Sequence, residues 1–116
     1  MEPQMRRSYT NHSYLDALEK KVLVFDGAMG TSLQKMNLTA AHFGGEKTLG
    51  CNDYLVISHP QAVEQVHRSF LETGVDVIET CTFRSNRLTL AEYGLGERVT
   101  EINLAAARLA RQLADE

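Results

Sequence analysis

Asp26 ends an apolar run, Val22-Leu23-Val24-Phe25, and is followed at once by Gly27-Ala28-Met29-Gly30-Thr31. A carboxylate beside a glycine-hinged turn can hold both charges of an amino acid. The carboxylate takes the ammonium group, and N–H groups of the turn take the ligand carboxylate. Gly27 and Gly30 let the backbone turn tightly and approach a ligand. The same residues also fit a plain turn in which Asp26 is only an N-cap. A second carboxylate, Glu79, and Thr80 end another run rich in β-branched residues, Val75-Asp76-Val77-Ile78.

These two groups need elements that bring them together. The run over residues 22–25 reads as a buried strand, and residues 75–79 read as a second. Between them lies a well-signalled helix. Ser58 is placed to cap it, with Gln61 three residues later. Pro60 falls in its first turn, and Gly74 is the expected C′ residue. Val63, Val66, Phe70 and Leu71 share one face, with His67 beside it as a packed, hydrogen-bonded histidine. Strand, helix, strand is the signature of a parallel βαβ unit, which puts both strand ends, and so Asp26, Glu79 and Thr80, at one mouth.

The remaining chain reads as helix and loop. A short helix over residues 14–20, capped by Ser13, carries Leu15 and Leu18 as i,i+3 neighbours. Another short helix is expected over residues 31–36, its N-terminus pointing at the 27–30 turn. Residues 37–49, with His42 and Gly44-Gly45, read as a long loop. A short helix over 87–93 precedes a longer one over 97–114, with Val99, Ile102, Ala106, Leu109, Ala110 and Leu113 on one face. Residues 1–13 read as a flexible tail and 14–116 as the N-terminal part of a domain.

The 116 residues are 43% hydrophobic and 23% charged, with a net charge of −3, ordinary for a globular protein. That charge gives no basic field for nucleic acid. No apolar run approaches the roughly 20 residues of a membrane helix. The N-terminus lacks the apolar core of a secretory signal. Cys51 and Cys81 alone make no disulfide framework, so a reduced, cytoplasmic protein is expected.

Several stretches in register carry a resemblance. They are Asp26-Gly27-Ala28-Met29-Gly30-Thr31, Gly50-Cys51-Asn52-Asp53-Tyr54-Leu55-Val56, and Val75-Asp76-Val77-Ile78-Glu79-Thr80-Cys81-Thr82-Phe83 followed by Asn86-Arg87. Glu92-Tyr93-Gly94-Leu95 and Glu101-Ile102-Asn103 also agree. Over residues 14–111 the chain resembles the homocysteine S-methyltransferase family, and within it the homocysteine-binding module of the cobalamin-dependent methionine synthases.

The resemblance implies an α/β fold, a (β/α)8 barrel. Such a barrel takes about 250 residues, so the chain is expected to be its first two βα units, a partial barrel. The implied reaction is methyl transfer to homocysteine sulfur, giving methionine. Asp26 would take the substrate ammonium. Gly27, Ala28 and Met29 would offer N–H groups to its carboxylate. Glu79 and Thr80 would add polar contacts, and Phe83 would shape the apolar wall. Glu79 could instead pair with a neighbouring cation. Cys81 stands where Asn is common in the family, and Arg84 where Gly is common.

A thiol nucleophile calls for zinc, which holds sulfur as the thiolate. In the family three cysteines from later segments hold that zinc. Cys51 and Cys81 lack the spacing of a zinc pair and read as structural or lining residues. The complete enzyme would therefore use zinc and cobalamin that this chain does not hold. The methyl donor, methylcobalamin renewed from methyltetrahydrofolate, would sit on other modules. Two alternatives stay open. One is a betaine or sulfonium donor. The other is a non-catalytic interaction fragment.

Overall fold

The computed structural model describes residues 11–116, and the first ten residues of the expected tail lie outside the described residues. Among the described residues six α-helices carry the fold: α1 (Ser13–Lys20), α2 (Met29–Gln34), α3 (Leu55–Ser58), α4 (Pro60–Thr73), α5 (Arg87–Ala91) and α6 (Val99–Ala114). Short 3-10 turns lie at Glu46–Thr48, Asn52–Tyr54 and Gly96–Arg98.

The expected α/β fold, two βα units of a partial barrel, is corrected here. Among the described residues there is no strand; residues 22–25 and 75–79 meet only in one isolated parallel bridge, Phe25 with Val77. The hydrogen bonds give the reason. Val77 N–H donates to the Val24 carbonyl at 3.2 Å, and Asp26 N–H to the Val77 carbonyl at 3.0 Å. A parallel ladder would go on with Glu79 N–H donating to the Asp26 carbonyl, and would be preceded by Val24 N–H donating to Val75. Both N–H groups instead go to side chains. Glu79 N–H donates to the Asp26 carboxylate at 3.0 and 3.2 Å. Val24 N–H donates to the Asp76 carboxylate at 2.9 Å, and Lys21 holds that carboxylate at 2.8 Å. A carboxylate thus takes the next rung at each end.

The core lies among the helices. Leu33 of α2, Leu55 of α3, Val63 and Val66 of α4, Leu90 of α5 and Ile102 of α6 are fully enclosed. On α6, Ile102, Ala106, Ala110 and Leu113 form the buried face. The small alanines let α4 and α6 approach closely. Pro60 opens α4 at a position where its missing N–H costs nothing. Gly74 closes it with φ +99°, the left-handed conformation that favours glycine.

Several local expectations change. Ser58 is the last residue of α3, and the N-cap of α4 is His59, without a side-chain cap. Ser13 opens α1; its N–H donates to Asn11 Oδ1 at 3.0 Å. Leu15 and Leu18 are exposed, since α1 buries no residue. His67 is fully enclosed, yet neither ring nitrogen has a hydrogen-bond partner among the described residues. Asn86, in contrast, caps α5 by accepting the Thr89 N–H at 3.0 Å.

Candidate functional site

The bridge between Phe25 and Val77 sets two loops side by side. One carries residues 26–30 into α2, the other residues 79–83 towards α5. Between them lies a cleft of about 430 Å³ lined by Asp26, Gly27, Ala28, Met29, Gly30, Glu79, Thr80, Thr82 and Phe83. That volume suits a small molecule. All seven residues singled out in the sequence border this one cleft. Gly30 and Thr82 are additions. Thr82 shares a side with Thr80 at a two-residue spacing, and their hydroxyls lie 2.7 Å apart. That alternation was the signal in the sequence that could have found it.

The floor is made by backbone. Ala28 has φ 36° and ψ 40°, left-handed and uncommon for a residue with a side chain. Neither Gly27 nor Gly30 adopts a positive φ, so the tight turn runs through the alanine. Such strained residues gather at ligand-binding turns. Ser32 N–H donates back to the Ala28 carbonyl at 3.0 Å, which starts α2. The N–H groups of the first turn of a helix have no intrahelical acceptor. Those of Met29 and Gly30 therefore stay available at the cleft. Met29 packs its side chain against the core and anchors the turn.

Asp26 faces this floor from the end of the bridge. Its carboxylate already accepts the Glu79 N–H. An ionised carboxylate has about four acceptor positions, so capacity remains for an ammonium group. Glu79 and Thr80 are exposed on the opposite wall, and Phe83 is 97% exposed at the rim. The cleft thus has a carboxylate on each side, N–H donors on the floor, and an apolar edge. It can take a small zwitterion with an apolar tail.

The described residues do not fit a zinc ion. Among the described residues no three His, Cys, Asp or Glu side chains gather as a metal site. Cys51 and Cys81 are both buried free thiols. Burial raises the Cys51 thiol and pushes Cys81 up to about 12, helped by Asp53 and Cys51 nearby. Metal ligation needs the thiolate, the form this burial disfavours. Both cysteines instead pack in the core.

Among the described residues no helix is long and apolar enough to cross a membrane. The sequence is 40% identical over 102 residues to "Methionine synthase" of Mycobacterium tuberculosis (strain ATCC 25618 / H37Rv) and 38% identical over 102 residues to "Methionine synthase" of Mycobacterium leprae (strain TN). Each alignment covers 88% of this chain and 8% of the relative, so the chain spans a small part of the length of the curated relatives it matches. The sequence model of the family described as "Homocysteine S-methyltransferase" matches residues 23–116, continuous through the bridge, both loops of the cleft and the helices behind them. With that match, the chain belongs to the homocysteine S-methyltransferase family.

Proposed function

We propose that this chain supplies part of the homocysteine site of an enzyme that transfers a methyl group to homocysteine sulfur, forming methionine. Residues 14–116 then belong to a homocysteine-binding domain. The observation that carries this reading is the pairing, across one cleft, of the Asp26 carboxylate with the N–H floor at residues 27–30. Family membership supports homocysteine as the substrate.

In this reading Asp26 takes the homocysteine ammonium. The N–H groups around Ala28 and Met29 take its carboxylate, as a charge-assisted pair. Glu79 and Thr80 contact the ammonium side, and Phe83 covers the side-chain carbons. In this reading these residues bind and orient the substrate. Zinc and cobalamin, with methylcobalamin renewed from methyltetrahydrofolate as methyl donor, belong to other parts of such an enzyme. Two free buried cysteines suit a reducing compartment, the cytoplasm.

The test is a titration of the 116-residue chain with homocysteine, followed by backbone amide NMR. Saturable shifts are expected at residues 26–30 and 79–83. 4-Mercaptobutanoate lacks the ammonium, and 3-mercaptopropylamine lacks the carboxylate. Each should bind at least about tenfold more weakly, the loss of one charge-assisted contact. Equal binding of the three thiols, or shifts confined to other regions, would overturn the reading.

A further inference from the structure

One wall of the cleft is the loop of residues 79–86, which leaves the Phe25–Val77 bridge and enters α5. Its near end is tied at the cleft itself, where the Asp26 carboxylate accepts the Glu79 N–H. The loop then folds on itself. Thr82 N–H donates to the Thr80 carbonyl at 2.9 Å, and Ser85 N–H donates to the Thr82 carbonyl at 3.0 Å. These bonds link Ser85 to the two threonines that line the cleft. The far end of the loop is held from α6. Asn103 Nδ2 donates to the Ser85 carbonyl at 3.3 Å. A carbonyl can only accept, so the NH2 end of the Asn103 amide must face it.

Packing alone does not account for Asn103. It stands at the edge of the face of α6 that buries Ile102, Ala106, Ala110 and Leu113. Alanine fills two of those buried positions and is a better helix former than asparagine. Asn103 Oδ1 and Ser85 Oγ are both buried without a partner among the described residues. An unmade hydrogen bond in the interior is costly, so an apolar residue would suit position 103 better if packing were its only role. Asn103 itself does not line the cleft. We propose that Asn103 is a positioning residue for the cleft: its hydrogen bond to the Ser85 carbonyl fixes on α6 the loop that carries Thr80, Thr82 and Phe83. Asp26 sets where that wall begins, and Asn103 sets where it ends.

This role rests on the reading of the cleft as a homocysteine site, and the experiment separates the two. Amide hydrogen exchange, homocysteine titration and denaturant midpoints are measured on the 116-residue chain, unmodified and as Asn103→Leu and Asn103→Gln. Asn103→Leu has a similar volume but no donor. It should speed exchange at the Thr82 and Ser85 amides and weaken homocysteine about two- to tenfold, the worth of one neutral hydrogen bond. The amides of α4 and α6 should keep their protection, and the denaturant midpoint should not fall. Asn103→Gln keeps an amide donor one methylene farther out and should restore part of both losses. If Asn103→Leu does not fold, Asn103→Ala, which removes the amide and adds nothing, takes its place. Unchanged exchange at Thr82 and Ser85 overturns the positioning role. So does an equal rise of exchange across α4 and α6 with a lower midpoint, the mark of a residue that serves the whole fold. Faster loop exchange with undiminished homocysteine affinity overturns it as well. If the unmodified chain takes no homocysteine, the functional reading fails, and exchange at Thr82 and Ser85 still decides whether Asn103 holds the loop.

Discussion

Both carboxylate oxygens of Asp26 accept the backbone N–H of Glu79, at 3.0 and 3.2 Å, where a parallel ladder would have used the Asp26 carbonyl. One side chain thus ends the backbone pairing and begins the cleft. Without this bond the Glu79 wall would lose its tether to the 26–30 turn.

This bond shapes what Asp26→Asn should do. The amide oxygen can still accept the Glu79 N–H, so the loops should stay paired. The negative charge facing an ammonium group is lost. One charge-assisted hydrogen bond is worth about 1.5–3 kcal/mol, or about 10- to 150-fold in affinity. Homocysteine affinity should fall by that factor. In a catalytically complete enzyme the loss should appear in KM, because the ammonium keeps its charge while sulfur is methylated. Titration of the chain, and kinetics where the methyl donor is present, check both. A change in kcat alone would contradict the assignment.

How legible was this in the sequence? Most of the helices were, because their signals are local, though α3 was not expected and α2 begins earlier than the 31–36 expected. The apolar face of α6 and the Pro60 and Gly74 boundaries of α4 follow from periodicity and capping. The seven cleft residues were named from short motifs, and they do gather in one place. The strands failed for a non-local reason. β-Branched runs satisfy the pattern of a strand, but a strand exists only through its pairing, and here Asp26 and Asp76 take the neighbouring rungs. Asp53 was passed over because an Asp in a turn signals nothing by itself; its burial is a tertiary fact.

Asp76 offers a direct check on that account. Lys21, then the Val24 N–H, hold its carboxyl below the usual carboxylate value of 3.8. A folded-state value below the unfolded one gives a contribution present above about pH 3.8 and lost as pH falls through the folded value. Protection of the Val24 amide should therefore persist at neutral pH and disappear in acid. In Asp76→Ala it should already be weak at neutral pH. Equal protection in the two proteins would contradict the structure.

Gly44 should resist replacement. Its φ is +87°, and a Cβ there would lie 2.9 Å from Tyr54 Cε1. The Tyr54 ring cannot easily yield, because Arg98 holds it by its hydroxyl and stacks against its face. Gly44→Ala combines backbone strain with overpacking, so it should destabilise by about 1–3 kcal/mol. Denaturant midpoints measure this. Gly45→Ala, where nothing lies within 4 Å, separates the two effects, since only its backbone at φ +129° is strained.

The thiols should be slow to react. Cys81 is 5% exposed with its thiol pushed up to about 12, so almost no thiolate exists at neutral pH. Modification of the native chain by a disulfide reagent should be slow and should become rapid in denaturant. Fast labelling of both thiols in the native state would contradict their burial.

His67 makes the last and most general test. Its ring is fully enclosed, and both nitrogens lack a partner among the described residues. Burial lowers its ionisation below the usual 6.5. The folded chain therefore keeps the ring neutral at pH values where the unfolded chain is already protonated. Stability should be undiminished above about pH 6.5 and should fall as pH drops from there towards the folded-state value. The slope is at most about 1.4 kcal/mol per pH unit, the figure for one proton. His67→Leu removes the unpartnered polar atoms and has a similar volume. It should stabilise the fold by about 1–2 kcal/mol, since an unmade hydrogen bond in the interior costs about 1–3. It should also remove this component of the acid slope. Chemical denaturation of both proteins between pH 5 and 8, on the order of a few points per unit, reads the two effects together. A variant that was less stable at pH 8, with the acid slope intact, would show that the imidazole has a partner and that its burial is not the source of the pH dependence.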